Sequence, residues 1–283
     1  MSISIITDST SYIPKEYIDK YHIKVVSLSL LLNNKSYREL DLNNDFFYDE
    51  MSKSKEFPKS SQPTVEETYK IFEEEAEKGN DIVGIFISSE MSGTYSTANL
   101  VKNLILENYD DINVEIIDSR SNCMQLGFSV IEAAKAAKEN KSMEEVVEAA
   151  ENVMDKSRFL FVPDNLEYLK KGGRIGGASA ILGKIFQIIP ILTVCDGKTA
   201  VFDKVRTKKK AIDKIIDTIV KDVEENGLGD IVVHHINCEN EGKEIADRLG
   251  EVLKTNIKIQ AIGPIVGLHV GPKSIGVVYY KKN

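Results

Sequence analysis

The apolar residues in the first half of the chain alternate between short β-branched runs and longer stretches with helical spacing. The short runs, which are typical of buried parallel strands, lie at 2–6, 24–32, 82–87 and 114–117. The helical stretches lie at 15–21, 65–78, 95–107, 124–138 and 143–156. Strands that alternate with helices in this way predict a mostly parallel sheet covered on both faces.

The second half of the chain shows the same alternation with one addition. Strands are predicted at 158–162, 191–195, 199–204, 231–235, 257–262 and 275–280, and the longest helices at 208–225 and 242–254. Asp196-Gly197 between two strands is a strong signal for a tight hairpin turn, so this sheet also contains antiparallel strands. A chain of 283 residues is long enough for two domains. We predict an α/β fold with two α/β domains, 1–156 with a mostly parallel sheet and 157–283 with a mixed sheet.

Several helix boundaries carry local signals. Thr64 with Glu67 matches a capping box at the start of a helix. Asp164 is expected to cap a short helix that ends before residues 172–173. The stretch 174–190 has small residues first and large apolar residues later, which predicts a helix packed closely against a neighbour.

Composition and charge narrow the function classes. A net charge of −8 argues against a nucleic-acid partner, since no basic field would hold phosphates. The three cysteines, Cys123, Cys195 and Cys238, fit neither a disulfide framework nor a CxxC metal site. Their number and the absence of a basic-then-apolar leader predict a reduced, cytoplasmic protein. No apolar run reaches the length of a membrane span.

The most informative stretch is 82–98, where a strand runs into a hydroxyl-rich turn and then into a helix. Ser88, Ser89, Ser92 and Thr94 crowd this turn, and Gly93 permits a tight bend. A helix start combined with hydroxyls and unpaired N–H groups suits an anion. The alternative is an N-cap cluster that binds only water.

Other polar residues also follow strand ends. Asp8 and Asp118 each come after a buried strand, at the edge where open α/β sheets bind ligands; for Asp8 an Asx turn is the alternative. Ser60 and Ser61 have no structural role that the sequence shows. Pro63 restricts the residue before it to an extended backbone, which fixes the direction in which Ser60 and Ser61 point.

Three motif matches fail. Gly177 and Gly183 are six residues apart, whereas the P-loop pattern requires five. Ser179 lacks the second glycine of a nucleophile elbow. His234 and His235 are adjacent on a strand and point to opposite faces, so no metal site is expected there.

Two further residues are candidates for binding. His269 lies between Gly267 and Gly271 in a segment bounded by two prolines, which predicts a rigid loop holding a titratable ring in apolar surroundings. Such a ring either binds a ligand or is a satisfied structural residue. Arg174 follows two glycines, and its guanidinium suits a carboxylate or phosphate. A salt bridge at a helix end is its alternative role.

Taken in order along the chain, these motifs resemble one family. The motifs are Thr7-Asp8-Ser9-Thr10, Ser60-Ser61-Gln62-Pro63, Ser88-Ser89 with Ser92-Gly93-Thr94, Asp118-Ser119, Gly172-Gly173-Arg174-Ile175, Val205-Arg206-Thr207 and Gly267 to Gly271. Together they are similar to the DegV family, bacterial fatty-acid-binding proteins that serve fatty acid kinase.

The resemblance implies two α/β domains with a long-chain fatty acid held between them. It places the carboxylate on the hydroxyls of Ser60 and Ser92 and extends the site to His269. The complete set of predicted binding residues is Ser60, Ser61, Ser92, Gly93, Thr94, Arg174 and His269, with Arg206 in a charge or partner role. Two positions depart from the family pattern: Ser60 stands where threonine is common, and Lys273 where glycine is usual.

The resemblance also implies a partner, a fatty acid kinase with a dihydroxyacetone-kinase-like domain, which phosphorylates the bound carboxylate with ATP and Mg²⁺. The acyl phosphate then feeds phospholipid synthesis. The chain itself is expected to be a carrier without catalytic activity, cofactor or metal, and transient membrane contact is compatible with that role. The alternatives are an acyl hydrolase that uses Ser92 and His269 and a small-anion-binding protein.

The expected energies favour a lipid. Burial is worth about 0.8 kcal/mol per CH₂, so a long acyl chain offers roughly 10 kcal/mol or more. Hydrogen bonds to the carboxylate add about 1–3 kcal/mol. The tail therefore supplies affinity and the polar cluster supplies orientation, and residues 178–191 are expected to line the acyl tunnel.

Overall fold

The structure is a computed structural model, and it describes residues 2–182 and 188–283. The β-strands of this part of the chain are β1 (Ile3–Asp8), β2 (Lys24–Val26), β3 (Ser29–Leu32), β4 (Lys35–Arg38), β5 (Lys59–Ser61), β6 (Asp81–Phe86), β7 (Val114–Asp118), β8 (Ser157–Val162), β9 (Ile189–Cys195), β10 (Lys198–Val205), β11 (Leu228–His235), β12 (Lys258–Ala261) and β13 (Ile275–Lys281). The α-helices are α1 (Lys15–Tyr21), α2 (Asn44–Lys53), α3 (Val65–Ala76), α4 (Thr94–Leu106), α5 (Cys123–Lys138), α6 (Met143–Lys156), α7 (Glu167–Lys171), α8 (Lys208–Asn226), α9 (Glu239–Leu253) and α10 (Pro264–Val270).

The chain divides into two compact units. The first comprises Met1–Leu31, Ser36–Asp41 and Ser60–Asp155, and the second comprises Leu32–Lys35, Leu42–Lys59 and Lys156–Asn283. The division predicted from the sequence, 1–156 and 157–283, differs from these units in the two inserted segments, which contain the turn after β3 and helix α2.

The first unit is built on a four-stranded sheet with the order β2-β1-β6-β7, and all of its strand pairs are parallel. Residues of α3 and α4 join Ile6, Ile82 and Phe86 in one buried cluster on this sheet. Helix α5 also packs on β1 and β6, but its buried residues lie outside that cluster. The predicted mostly parallel sheet with helices on both faces is confirmed.

The strand predicted at 24–32 is wrong, because the structure contains two strands there, in different sheets. β2 belongs to the parallel sheet, whereas β3 lies between β4 and β5 in a three-stranded sheet. The chain leaves the first sheet at Ser27-Leu28. The N–H of Leu28 donates to Ser9 Oγ at 3.1 Å instead of to a neighbouring strand.

The second unit contains a six-stranded sheet with the order β10-β9-β8-β13-β11-β12. β11 and β12 are parallel, and the other neighbours are antiparallel. Helices α8 and α9 bury their apolar faces against this sheet. The predicted hairpin is present, and positive φ angles at Asp196 (49°) and Gly197 (77°) fit the predicted two-residue turn. The mixed sheet is therefore also confirmed.

Three local predictions in the second unit are wrong. Asp164 does not cap α7, because the N-cap residue is Leu166, which has no side-chain cap. The N–H of Glu167, the first residue of α7, donates instead to Asn165 Oδ1 at 3.1 Å. The helix predicted at 174–190 is wrong for the residues that the structure describes there: Gly176–Ile181 is a 3₁₀ segment, which packs along β10 and has φ +48° at Gly176, and β9 begins at Ile189. Residues 183–187 of this stretch lie outside the described residues. The acyl tunnel predicted at 178–191 falls partly on residues outside those described and stays a prediction.

The third error concerns His269, which lies in a helix and not in a loop. Pro264 occupies the first turn of α10, where a missing N–H costs nothing and the fixed φ suits a helix. Gly271 ends the helix with φ +89°. Pro264 and Gly271, which were interpreted as braces of a loop, are therefore the boundaries of a two-turn helix, and Gly267 lies inside it.

Candidate functional site

The hydroxyl-rich turn after β6 is held by the ends of the two neighbouring strands. The N–H of Ile87 donates to Asp8 Oδ2 at 2.7 Å, at the end of β1. The N–H and hydroxyl of Ser89 donate to the carboxylate of Asp118 at 3.2 and 2.6 Å, at the end of β7. Since the three strands are parallel and adjacent, their carboxyl ends meet at one edge, as the sequence predicted.

Asp8 forms the Asx turn that was one of its two predicted roles. Its Oδ1 accepts the N–H and the hydroxyl of Thr10 at 2.9 and 2.5 Å, and its side chain caps the 3₁₀ turn Ser9–Ser11. Burial raises the pKa of the Asp8 carboxyl, while the hydrogen bonds from Ile87 and Thr10 oppose that rise. The carboxylate is fully enclosed by protein and holds the backbone rather than a ligand.

The turn places Ser92 directly before the N-cap of α4 and Thr94 at the first residue of this helix. Ser92 Oγ lies 2.9 Å from Thr94 Oγ1 and accepts the N–H of Thr94 at 3.3 Å. Ser92 is half-buried and Thr94 is buried. Gly93, the N-cap residue, has no side chain to accept from the first turn of the helix. The helix therefore begins with hydroxyls and backbone N–H groups, an arrangement that suits an anion.

The segment with Ser60 and Ser61 is fixed to the same helix start through Gln62. The amide nitrogen of Gln62 donates to Thr97 Oγ1 at 2.8 Å. A methyl group on Gly93 would overlap the amide oxygen of Gln62, so glycine is needed at this position for the close approach of the side chain. Gln62 thus brings two of the predicted motifs together within the first unit.

Ser60 and Ser61 differ in their surroundings. They are the last two residues of strand β5, where Ser60 is half-buried and Ser61 is exposed. Ser61 Oγ donates to the carbonyl of Ser29 on β3 at 3.4 Å, so this hydroxyl has a structural partner. The next helix, α3, begins with the predicted capping box of Thr64 and Glu67, which is confirmed.

The second group of predicted residues lies in the second unit, around His269. Its ring packs against Gly172, where any larger residue would overlap Nδ1. Nδ1 is inaccessible to solvent. Burial, together with the nearby charge of Arg174, lowers the pKa of His269 to about 3. The ring is therefore neutral at physiological pH, and it can offer one nitrogen as a donor and the other as an acceptor.

Both predicted arginines are exposed. Arg174 donates from Nη1 to the carbonyl of Gly172 at 2.8 Å, which directs its side chain back over the segment that contacts His269. Arg206 follows β10 directly. Lys273, where the family pattern has glycine, adopts φ +62°, a left-handed conformation that glycine adopts without cost.

The described residues, 2–182 and 188–283, contain neither a metal-binding cluster nor a helix suited to span a membrane. No group of three or more histidine, cysteine, aspartate or glutamate side chains there is arranged to hold a metal ion. His234 is fully buried and its Nδ1 lies 3.1 Å from the carbonyl of Gln260. None of the described helices is both long and apolar enough to cross a bilayer.

Two structural roles at the site had no clear signal in the sequence. Gln62 was part of a motif, but the sequence did not show that its amide would bridge to α4. Asp8 and Asp118 were noted at strand ends, but their shared function of holding residues 87–89 depends on which strands are neighbours. Strand order is a long-range property that a local pattern does not report.

Comparison with known proteins places the chain in a family. The model of a family described as "Uncharacterised protein, DegV family" matches residues 2–282. A DegV domain-containing protein of Clostridium acetobutylicum is 52% identical over 280 residues, which cover 99% of this chain and 98% of that protein.

Solved structures show the same fold across nearly all of the chain. DegV of Bacillus subtilis, described as a fatty acid binding protein, matches with a TM-score of 0.90 and 32% identity over 99% of this chain and 100% of its own. A stearic acid-binding protein from Eubacterium ventriosum matches with a TM-score of 0.90 and 28% identity, covering 99% and 98% of the two chains. The family model and the identity to these relatives establish that this chain belongs to the DegV family.

Proposed function

We propose that the protein binds a long-chain fatty acid and holds its carboxylate at the start of α4. The observation that carries this proposal is the Gln62 bridge, which ties the segment with Ser60 and Ser61 to the start of α4, where the hydroxyls of Ser92 and Thr94 lie. The fatty acid bound by the relatives from Bacillus subtilis and Eubacterium ventriosum supports the ligand class.

The residues assigned to the head group are uncharged donors in the first unit, and a neutral imidazole and one arginine in the second. Ser60, Ser92 and Thr94 offer hydroxyls, and α4 offers backbone N–H groups. His269 extends the set as a neutral imidazole, and Arg174 contributes charge. Hydrogen bonds of this kind orient a carboxylate and add about 1–3 kcal/mol, so we assign most of the affinity to the acyl chain.

Mass spectrometry of an organic extract from freshly purified protein tests the ligand class. A fatty acid in stoichiometric amount is the expected result. A protein that is empty and also fails to take up added palmitate or oleate contradicts the proposal. Turnover of activated acyl esters by the protein alone would favour the hydrolase alternative, with Ser92 and His269 as its nucleophile and base.

The role of the hydroxyls is tested with Ser92→Ala, and Ser96→Ala is the matched control. Ser96 is exposed on the same helix, two residues into α4. Ser92→Ala should weaken binding of palmitate by roughly tenfold to a hundredfold, as expected for one lost hydrogen bond to a charged group, while Ser96→Ala should bind normally. Equal affinities of both variants would contradict the assignment of Ser92.

We further propose that the bound carboxylate is presented to a fatty acid kinase with a dihydroxyacetone-kinase-like domain. The kinase supplies ATP and Mg²⁺ and forms an acyl phosphate for phospholipid synthesis; the chain itself acts as carrier. The membership in the DegV family supports this partner, and the exposed Arg174 and Arg206 are assigned to charge neutralisation or docking.

Acyl phosphate formation by the kinase and this protein together tests the partner. Arg206→Ala should slow the reaction at low carrier concentration without loss of bound lipid, while the exposed neighbour Lys209→Ala should not. Ser92→Ala should reduce turnover more than lipid retention. A kinase that phosphorylates free fatty acid equally well without this protein would contradict the carrier role.

A further inference from the structure

Two carboxylates flank the turn that carries the hydroxyls. Asp8 ends β1 and Asp118 ends β7, and β6 lies between these strands. Neither carboxylate suits direct contact with an anionic head group, because like charges repel. Both instead accept backbone N–H groups of the turn, Asp8 from Ile87 and Asp118 from Ser89.

The turn between β6 and Gly93 is hydrogen-bonded at every residue. Such complete pairing fixes the backbone path, and with it the position of Ser92 relative to Thr94. The N–H groups donate as follows: Ile87 to Asp8, Ser88 to the carbonyl of Ser121 (2.8 Å), Ser89 to Asp118, Glu90 to Ser88 Oγ (3.2 Å), and Met91 and Ser92 to the carbonyl of Ser88 (2.9 and 3.1 Å).

The two carboxylates are built differently. Asp8 is fully buried and uses one oxygen for Thr10 and the other for Ile87. Asp118 lies nearer to the surface, with its side chain 16% exposed, and its Oδ1 accepts the N–H groups of both Ser89 and Arg120. Its Oδ2 accepts the hydroxyl of Ser89 at 2.6 Å. The guanidinium of Arg120 lies 3.7 Å away and offsets the charge.

We propose that Asp8 and Asp118 are positioning residues that hold residues 87–92 from both sides and thereby set the preference for a carboxylate over an uncharged head group. This inference rests on the proposed function, since it assigns the head group to Ser92 and Thr94. A turn fixed before the ligand arrives needs no reorganisation on binding, which is the general advantage of a preorganised site. Loss of one anchor loosens the hydroxyls while the acyl-binding part of the protein is untouched.

The hydrogen-bond chemistry distinguishes two asparagine variants. In Asp118→Asn the remaining oxygen can still accept both N–H groups, and the amide can donate to Ser89 Oγ, because a hydroxyl both donates and accepts. In Asp8→Asn the two side-chain atoms that replace the carboxylate oxygens both face backbone N–H donors, those of Thr10 and Ile87. The new NH₂ group therefore meets another donor and one hydrogen bond is lost. Asp118→Asn should therefore retain the function of aspartate, whereas Asp118→Ala and Asp8→Asn should not.

The experiment compares the affinities for palmitate and 1-hexadecanol, which share a chain length but differ in head group. Wild type should prefer palmitate. Asp118→Ala should lower that preference by about tenfold and Ser89→Ala by about threefold, because each weakens the binding of palmitate and leaves the binding of 1-hexadecanol unchanged. Asp118→Asn should keep the preference of the wild type. The controls are Glu115→Ala, an exposed carboxylate on β7, and Ser96→Ala.

The outcomes separate the inference from the proposed function. If wild type itself has no preference for palmitate, or binds neither lipid, the assignment of the head group fails. If wild type prefers palmitate and folded Asp118→Ala and Ser89→Ala keep the full preference, the positioning role is overturned. Equal weakening of both lipids in these variants also overturns it, because a merely structural role predicts that pattern. Ser89 is exposed, so Ser89→Ala is expected to fold. This variant therefore still tests the inference if Asp8→Asn or Asp118→Ala does not fold.

Discussion

The two groups of predicted binding residues are held in place by different means. Around Ser92 the backbone is fixed by hydrogen bonds to Asp8, Asp118 and the neighbouring turn. His269 lies in a two-turn helix, and its ring is fixed by burial and by close packing against Gly172. The first arrangement is sensitive to the loss of an acceptor and the second to a change of volume. Substitutions that add a methyl group should therefore affect the two groups unequally.

The largest effect is expected from Gly172→Ala. The new methyl group overlaps Nδ1 of His269, a ring atom that is inaccessible to solvent. Overpacking of this kind costs about 1–3 kcal/mol, which urea denaturation would measure. Gly173 is not a usable control because its φ is +70°, so the control is Ser179→Ala, an exposed position in the adjacent 3₁₀ segment. Unchanged stability of Gly172→Ala would show that the His269 side chain moves freely.

The second-largest effect is expected in the pH dependence of stability, to which the buried ring of His269 contributes. Its pKa is about 3 in the folded protein, against an ordinary value of 6.5. Between these values the unfolded chain binds more protons than the folded one, so stability falls as the pH falls from 6.5 towards 3. The loss between pH 7 and 4.5 is about 1–2 kcal/mol after allowance for the partial exposure of the residue.

The measurement is urea denaturation at both pH values for wild type and His269→Gln, with His22→Gln as the control at an exposed histidine. His269→Gln should lose less stability on acidification than wild type, and His22→Gln should follow wild type. A folded-state NMR titration of His269 with a midpoint near pH 6.5 would contradict the prediction.

A smaller effect on stability is expected from Gly93→Ala. The overlapping atom is the amide oxygen of Gln62, at the end of a flexible and exposed side chain. The side chain can swing aside, so the cost is under about 1 kcal/mol. The bond from Gln62 to Thr97 should be lost, however, and affinity for palmitate should fall. Gln62→Ala removes the same bond and should lower the affinity by a similar factor. If Gly93→Ala lost as much stability as Gly172→Ala, the proposed difference between a group held by hydrogen bonds and a group held by packing would be contradicted.

The smallest effect is expected from Lys273→Gly. A lysine in the left-handed region is strained, and glycine relieves this strain while it makes the unfolded chain more flexible. The net gain is about 0.5 kcal/mol, measured as a small rise in the melting temperature. Lys254 also has a positive φ, of 54°, at the C-terminus of α9. Lys254→Gly is therefore the matched comparison, and a loss of stability in both variants would contradict the interpretation.

The local sequence was sufficient for most elements and for both sheet types. Apolar runs, the capping box of Thr64 and Glu67 and the Asp196-Gly197 turn act over a few residues. The capping box and the turn are confirmed in the structure, and so are most of the strands predicted from apolar runs, the run at 24–32 excepted. Ser92, Gly93, Thr94, Arg174 and His269 were proposed from the residues themselves, because hydroxyls, an arginine and a histidine carry their chemistry with them. Arg206 and the assignment of the carboxylate to Ser60 and Ser92 came from the resemblance to the family. Their roles in ligand binding stay predictions.

Other features depended on contacts between residues far apart in the chain. Ser9 ends the strand predicted at 24–32 by taking the N–H of Leu28. Gln62 reaches Thr97, and Asp8 reaches Ile87, across 35 and 79 residues. The surroundings of His269 could not be predicted for the same reason: burial of the ring and the nearby charge of Arg174 lower its pKa, and Gly172 packs against it. The sequence by itself determined which groups are available and which elements carry them. Only the tertiary structure decided which groups meet, because hydrogen bonding and desolvation depend on distances that local patterns do not encode.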